Sequence, residues 1–489
     1  MGRGARRRRL SRTIGGETNV DSPTHAAYSR RIPVAERCDV AVVGGGPAGI
    51  AAAIAAARQG ARTALIERYG FLGGNLTAGL VGPCMTAYSL DGSQQLIKGI
   101  FEEFVRRMEA EGGALHPSGI AAGTAYCGFI EHGHDKVTPF EPECAKLVAM
   151  RMCREAGVEL VLHSLVVDVD GRRTDGVARR IDGLVCASKS GLQLRPVGTV
   201  VDCSADGDVA ALAGAEFEIG RSGDGLMQPM TMFFRVSHVD DAAVENYVFS
   251  HPDDFRPYAS IIAKAREEGR FSIPRKGVGL YKTLNPGVWR INTTRVLKRD
   301  GTRVEDLTAA EIEGREQVHT LVRFFRENLP GFENCQLLDT ATQIGVRETR
   351  RIVGEYTLTL GDLQNGRRFE DVVALCGYPV DIHDPTGAGG GVAEAPATAN
   401  MYEIPYRVLV PKAIENLWVA GRSVSSTHEA LGAIRVMPPC FAMGEAAGIA
   451  AAIAAARNIA ARDVPVGELH AALLAAGVYL GEGIPAPAR

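Results

Sequence analysis

Six consecutive residues, Gly44-Gly45-Gly46-Pro47-Ala48-Gly49, carry the densest chemical signal in this chain. They fit G-x-G-x-x-G, a spacing whose chemistry is the cradling of phosphate. Gly44 permits a tight turn, Gly46 lets backbone approach a diphosphate with no side chain in the way, and Gly49 allows a following helix to pack closely. The helix N-terminus then offers free N–H groups and partial positive charge to the phosphates. Eighteen residues past Gly49, Glu67 is placed to accept hydrogen bonds from ribose hydroxyls, with Arg68 beside it.

These residues need a particular frame. Cys38–Val43 (CDVAVV) reads as a strand buried on both faces, GIAAAIAAARQG as a helix stopping at Gly60, and RTALIE as a second strand. Strand, glycine turn, helix and strand make a βαβ unit, and the motif falls in register with it. Helical patterns follow over Lys98–Gly112 and Pro142–Ala156, with an irregular stretch at His116–Pro139 between them. The runs ELVLHSLVVDVD, GLVCASKS and PVGTVVDCS suit a β-meander and then a strand returning to the main sheet. From Gly214 to Gln343 the style changes to strands (MTMFFRVS, VWRINTTRV) flanking a helix at Ala309–Asn328. The first style resumes with YRVLVP, LWVAGR and an Ala-rich helix after Pro438-Pro439.

The expected fold class is therefore α/β: a Rossmann-like dinucleotide domain with parallel sheet and β-meander, and an inserted α+β substrate domain. The expected boundaries are a disordered basic tail at 1–31, the dinucleotide domain at 32–213 and 344–462, the inserted domain at 214–343, and a C-terminal extension at 463–489. The tail holds six arginines in its first thirteen residues but no apolar stretch behind them, so a secretory signal is not read there. A net charge of -3 gives no reason to expect nucleic acid. Ten scattered cysteines contain no C-x-x-C pair, so no metal is expected, and a reduced, cytoplasmic setting is. The Ala-rich stretch Ala446–Ala456 reads as too short to span a bilayer.

The sequence resembles the FAD-dependent oxidoreductases of the glutathione-reductase type, in the bacterial branch related to fumarate reductase flavoproteins. Beyond the glycine turn the resemblance rests on LGGNLTAGLVG (72–82), VDCSADGDVAALAG (201–214), GLMQPMT (225–231), INTTRV (291–296), QIGVRETRRIVGEY (343–356), DIHDP (381–385) and the long segment 417–448. It implies that FAD is the cofactor and that Gly73, Gly74 and Asn75 lie along the flavin. It also puts Gly421 and Arg422 at its ribityl and phosphate region, and the helix carrying Gly444 and Ala447 with its N-terminus towards the ring. Two departures stand out. Ala205 replaces a glycine in DCSADGD, which is tolerated if its φ is negative. Arg422 replaces an acid and is free to pair with phosphate. No second G-x-G-x-x-G follows a strand, so a separate nicotinamide domain is not expected, and the electron acceptor is left open between oxygen, a quinone and a partner protein.

Substrate chemistry on a flavin needs a group that takes or gives a proton. His383 in DIHDP and His428 in STHEA are the candidates, each weighed against service as a loop anchor. Arg347, Arg350 and Arg351 form a cationic cluster that, on a helix, would put 347 and 351 on one face. They either clamp an anion or pair with Glu348 and Glu355. Asn292, Arg295 and Arg435 are further polar candidates from the resembled motifs, and Cys440 stands where a helix N-terminus could lower a thiol pKa. The expected activity is oxidation of a small polar substrate at a C–H bond next to O or N. Reduction of an activated C=C bond and a silent flavin-holding scaffold are the alternatives. Homo-oligomerisation is left open.

Overall fold

Strand Cys38–Val43 lies between two parallel neighbours, Thr63–Ile66 on one side and Gly191–Asp202 on the other. That double pairing is why its residues are apolar on both faces. The computed structural model describes residues 28–391 and 396–482. The basic start of the chain lies outside them, as does the end of the C-terminal extension.

The main sheet has seven strands. Glu159–Val161 extends it in parallel beyond Thr63–Ile66, and Leu417–Val419 pairs in parallel with Gly191–Asp202. The meander and the returning strand expected as separate pieces are one element: the twelve-residue strand Gly191–Asp202 pairs antiparallel with Gly183–Ser188 through its first half and parallel with Cys38–Val43 through its second. A single long strand keeps the ladder hydrogen bonds continuous across the junction.

Behind this sheet the helix Pro47–Arg58 packs on the helix Met437–Arg457. Glycine makes the close approach: a Cβ at Gly444 or Gly448 would sit 2.1 Å from Ala48 O or 2.2 Å from Ala52 O. Among the described residues Met437–Arg457 is the one helix long and apolar enough to cross a membrane, a greater length than the Ala-rich stretch suggested, with a mean hydropathy of 1.5. Its apolar window is 83% buried inside the fold, where Ile50, Phe101 and Phe104 join it in one core.

A second core has its own sheet, antiparallel throughout, in the order Leu280–Lys282, Trp289–Ile291, Phe234–Ser237 and Gln336–Thr340. The helix Val304–Asn328 covers it, stacking Phe325 on Phe234 with ring centres 6.4 Å apart. Two expected elements differ. Arg350–Ile352 is a strand paired with Phe217–Ile219 and not helix, because Ile352 is buried in the sheet-side core while Arg350 turns to Asp208. YRVLVP is not a strand over its length: Tyr402–Pro405 is extended, and Tyr406–Leu409 then tightens into a 3₁₀ turn.

Candidate active site

The glycine turn opens one crevice. Gly44 has φ +98°, and a Cβ there would lie 2.4 Å from the carbonyl oxygen of Cys203. A Cβ at Gly49 would lie 1.7 Å from Gly44 O, so this position fixes the turn against the helix. Gly46 differs from both: its Cβ would meet nothing nearer than Gly74 Cα at 3.9 Å, and it faces the crevice itself. The helix Pro47–Arg58 starts there with no side-chain cap, which leaves its first N–H groups available. Gly73 N–H donates to Gly45 O at 2.7 Å, holding the 73–75 loop over the turn. Glu67 accepts from Gly45 N at 2.5 Å and Tyr69 N at 2.9 Å, which anchors its carboxylate at the crevice wall. Arg68 reaches Gln343 at 2.7 Å across the same opening.

The far wall is the turn Cys203–Asp208. Ala205 adopts φ +69°, which reverses the expectation of a negative angle. The strain is held by a net of bonds: Asp202 accepts from Ser204 N and Oγ at 3.0 and 2.6 Å and from Ala210 N at 2.9 Å. Arg422 donates to Asp206 at 2.7 Å and Thr349 at 3.1 Å, while its buried Nε has no partner. Asp208 is pushed up to about 6 by burial and then by Asp206 and Asp202.

Asn75, Arg422, Arg435 and Met437 line both this crevice and a larger cavity of about 580 Å³. The cavity is cationic. Arg347 donates to Pro229 O and Thr231 Oγ1, each at 2.7 Å, and shares Asn292 Oδ1 with Arg275 at 3.5 and 3.3 Å. Arg295 donates to the carbonyls of Asp384 and Gly389, both at 2.8 Å. Arg435 donates to Asp381 O at 2.7 Å and approaches Asp381 Oδ2 at 3.3 Å. Asp381 is the one carboxylate among the described lining residues. Burial, and then Arg275 and Arg435, hold Arg347 well below the usual guanidinium range. Burial and Arg295 bring Arg275 down to about 9. These cations repel one another, and their burial weakens the screening that bulk water would give.

His383 Nε2 stands 3.4 Å from Asp381 Oδ2, and its buried Nδ1 has no partner. Burial dominates its titration, and Arg347 adds to it, so its pKa falls well below 6.5 despite Asp381. The ring is therefore neutral at neutral pH. Burial pushes Asp381 up, but His383, Arg435 and Arg347 together hold it well below the usual carboxylate range.

The crevice passes a direct test for a dinucleotide. Glycine leaves a cradle at residue 46 that a side chain would fill, and uncapped N-termini open the helices Pro47–Arg58 and Met437–Arg457. The family model described as FAD dependent oxidoreductase matches residues 39–473. The chain belongs to this family. It is an FAD-dependent oxidoreductase, and the crevice has the features that would hold the FAD diphosphate.

Solved structures similar to this oxidoreductase include L-proline dehydrogenase from P.horikoshii, at 12% identity over 91% of this chain and 99% of that one, with a TM-score of 0.43. The p-nitrophenol 4-monooxygenase PnpA from Pseudomonas putida DLL-E4 matches at 12% identity over 92% and 90%, with a TM-score of 0.45. The flavin-dependent brominase Bmp2 matches at 15% identity over 90% and 83%, with a TM-score of 0.42. No curated protein matches the sequence.

The oxidoreductase gathers most of the residues that its sequence singled out. Gly44, Gly46, Pro47, Ala48, Glu67, Arg68, Gly74, Asn75, Gly421 and Arg422 line the crevice, and Arg347, Asn292 and His383 line the cavity. His428 does neither. Its Nδ1 sits 2.8 Å from Glu348 Oε2, and Glu348 also takes Arg351 and the backbone N of Gln228, so this buried cluster ties three segments together. Arg350 and Arg351 likewise serve ion pairs, to Asp208 and to Glu348 and Glu218, while Glu355 pairs with Arg462. Gly444 and Ala447 are packing positions inside the helix pair. Cys440 lies at the crevice, and burial pushes its thiol up to about 12, which fits a packing role and not the lowered thiol that a helix N-terminus could have given. Sequence reasoning missed Asp381, Arg275, Gln228 and the rings of His134, Tyr281 and Tyr378. Asp381 alone had a local signal, as the acid two residues before His383.

Proposed function

We propose that this enzyme oxidises a carboxylate-bearing substrate at a C–H bond next to O or N. One observation carries the reading: a cavity continuous with the FAD crevice sets Arg275, Arg347 and Arg435 against the single described carboxylate of Asp381. Buried guanidinium groups in excess of carboxylate are costly, and a substrate carboxylate offsets them with charge-assisted, bidentate bonds. FAD, when bound, supplies the two-electron acceptor for a hydride. His383 takes the hydroxyl or amino proton, since its ring is neutral and Asp381 fixes which nitrogen is bare. Loss of that proton and of the C–H hydride turns a 2-hydroxy or 2-amino carboxylate into its 2-oxo or 2-imino acid. In this reading the second core, 214–343, is the substrate domain, and the finer kinship is with the fumarate-reductase-related branch.

A second reading has its own support. Arg347 and His383 line the same cavity, so Arg347 would stand as proton donor in the reduction of an activated C=C bond. Anaerobic mixing separates the two. The proposed reaction bleaches the visible flavin band with 2-hydroxy or 2-amino carboxylates. Recovery of colour in the reduced enzyme on adding enoates, with no bleaching by those acids, would replace it with the second.

A further inference from the structure

The cavity is larger than a carboxylate with a two- or three-carbon body needs, and its walls are of two kinds. About 580 Å³ lies in the range of pockets that enclose drug-sized ligands. One part carries the guanidinium groups. Another carries rings: His134 lies between Tyr281 and Tyr378, with ring centres 6.4 and 6.3 Å away and planes within 23° and 31°. Phe255 stands in the same lining and is 59% exposed, a large aromatic side chain left facing solvent. Apolar side chains of Met85, Phe233 and Val278 complete this part. None of the rings belongs to the boundary shared with the FAD crevice, where Asn75, Arg422, Arg435 and Met437 stand. The ring-lined part of the cavity therefore lies away from that boundary.

Burial keeps these ring groups uncharged. His134 is brought down to about 4 by desolvation, while Tyr281 and Tyr378 are both raised by it. Neutral, near-parallel ring faces offer stacking and apolar contact. From these observations we infer that the substrate is an aryl-bearing carboxylate: the acid head sits among the arginines, and an aromatic body covers Phe255 in the part of the cavity that Tyr281, His134 and Tyr378 also line. A small acid would leave the exposed ring of Phe255 in contact with water and forgo its burial. This inference rests on the carboxylate reading above and narrows it.

Calorimetric titration of the oxidised holoenzyme with acids that lack the 2-hydroxy or 2-amino group, and so cannot be oxidised in this way, tests it without turnover. Phenylacetate is expected to bind about 10–100-fold more tightly than acetate, with hexanoate between them, from the burial of one ring-sized group. Phe255→Ala, at an exposed position that does not threaten folding, is expected to weaken phenylacetate about threefold or more and leave acetate unchanged. Equal affinity for acetate and phenylacetate would overturn the aryl inference while leaving the carboxylate reading standing. If no acid binds, or if Arg347→Ala leaves their affinities unchanged, both fall.

Discussion

The crevice and the cavity of this oxidoreductase meet at Arg422 and Met437, yet they are built in opposite ways. The crevice is made of backbone. Its working parts are a glycine with no side chain, two uncapped helix N-termini and a loop bonded over the turn, all close in sequence or locked by glycine contacts. The cavity is made of side chains from many distant segments, and its working parts are charges and rings. The backbone site suits a ligand with a fixed shape shared by many proteins, and the side-chain site suits whatever the arginines and rings select. The comparison makes separable predictions, because one site fails by steric exclusion and the other by loss of charge.

The sharpest break lies inside the glycine motif. Gly49→Ala drives a methyl group to 1.7 Å from Gly44 O and should yield no folded protein. Gly46→Ala, with 3.9 Å of clearance, should fold with an unchanged apo melting temperature and bind FAD roughly 100-fold more weakly or worse, since only the phosphate is displaced. Fluorescence titration of FAD with thermal melts of the apo forms checks both. Tight FAD binding by the Gly46→Ala variant would break the crevice half of the comparison.

In the cavity, His383→Gln should lower kcat by about 100–10,000-fold while FAD stays bound, the loss expected of a positioned proton acceptor. The wild-type kcat/KM should also lack an acid limb near pH 6.5, since burial and Arg347 lower the His383 pKa and keep the base form through that range. Arg347→Ala should cost about 100–1,000-fold in kcat/KM, from one lost charge-assisted clamp in a buried site. Steady-state kinetics with the flavin absorbance as loading control measure these losses.

How far the sequence reached follows the same division. The βαβ unit and its phosphate turn were legible because their determinants are local: a buried strand, a glycine spacing and an Ala-rich helix within thirty residues. The cavity was legible only in part: Arg347, Asn292 and His383 came from resembled motifs, but Arg275, Tyr281 and Tyr378 acquire meaning only when distant segments meet. Arg347 and Arg351 show the limit. Read on a helix they share a face, but the chain is extended there, and Arg347 enters the cavity while Arg351 turns to Glu348. Ala205 shows another, since a positive φ at a non-glycine residue leaves no mark in the sequence. His428 looked equal to His383 from its loop and differs only in its neighbour: a buried Glu348 makes it an anchor.

A further predicted effect belongs to the frame behind the crevice. Glu445 in the core helix accepts from Ile100 N at 3.0 Å, and burial raises its pKa from 4.5 to about 7. The folded state therefore holds this proton more tightly than the unfolded chain, so stability falls as pH rises from about 4.5 to 7. The fall attributable to this carboxyl is about 3 kcal/mol. Glu445→Gln should flatten that slope without changing FAD affinity, as read by urea unfolding across the same window.

The central claim is that guanidinium charge in the cavity selects the substrate presented to the flavin. It is tested most directly by anaerobic bleaching of the holoenzyme with a 2-hydroxy carboxylate and with its primary amide, each in wild type and in Arg347→Ala. The account predicts bleaching by the acid at least about 100-fold faster than by the amide in wild type, and a gap that largely closes in the variant. Equal rates for acid and amide in the wild-type enzyme would contradict it.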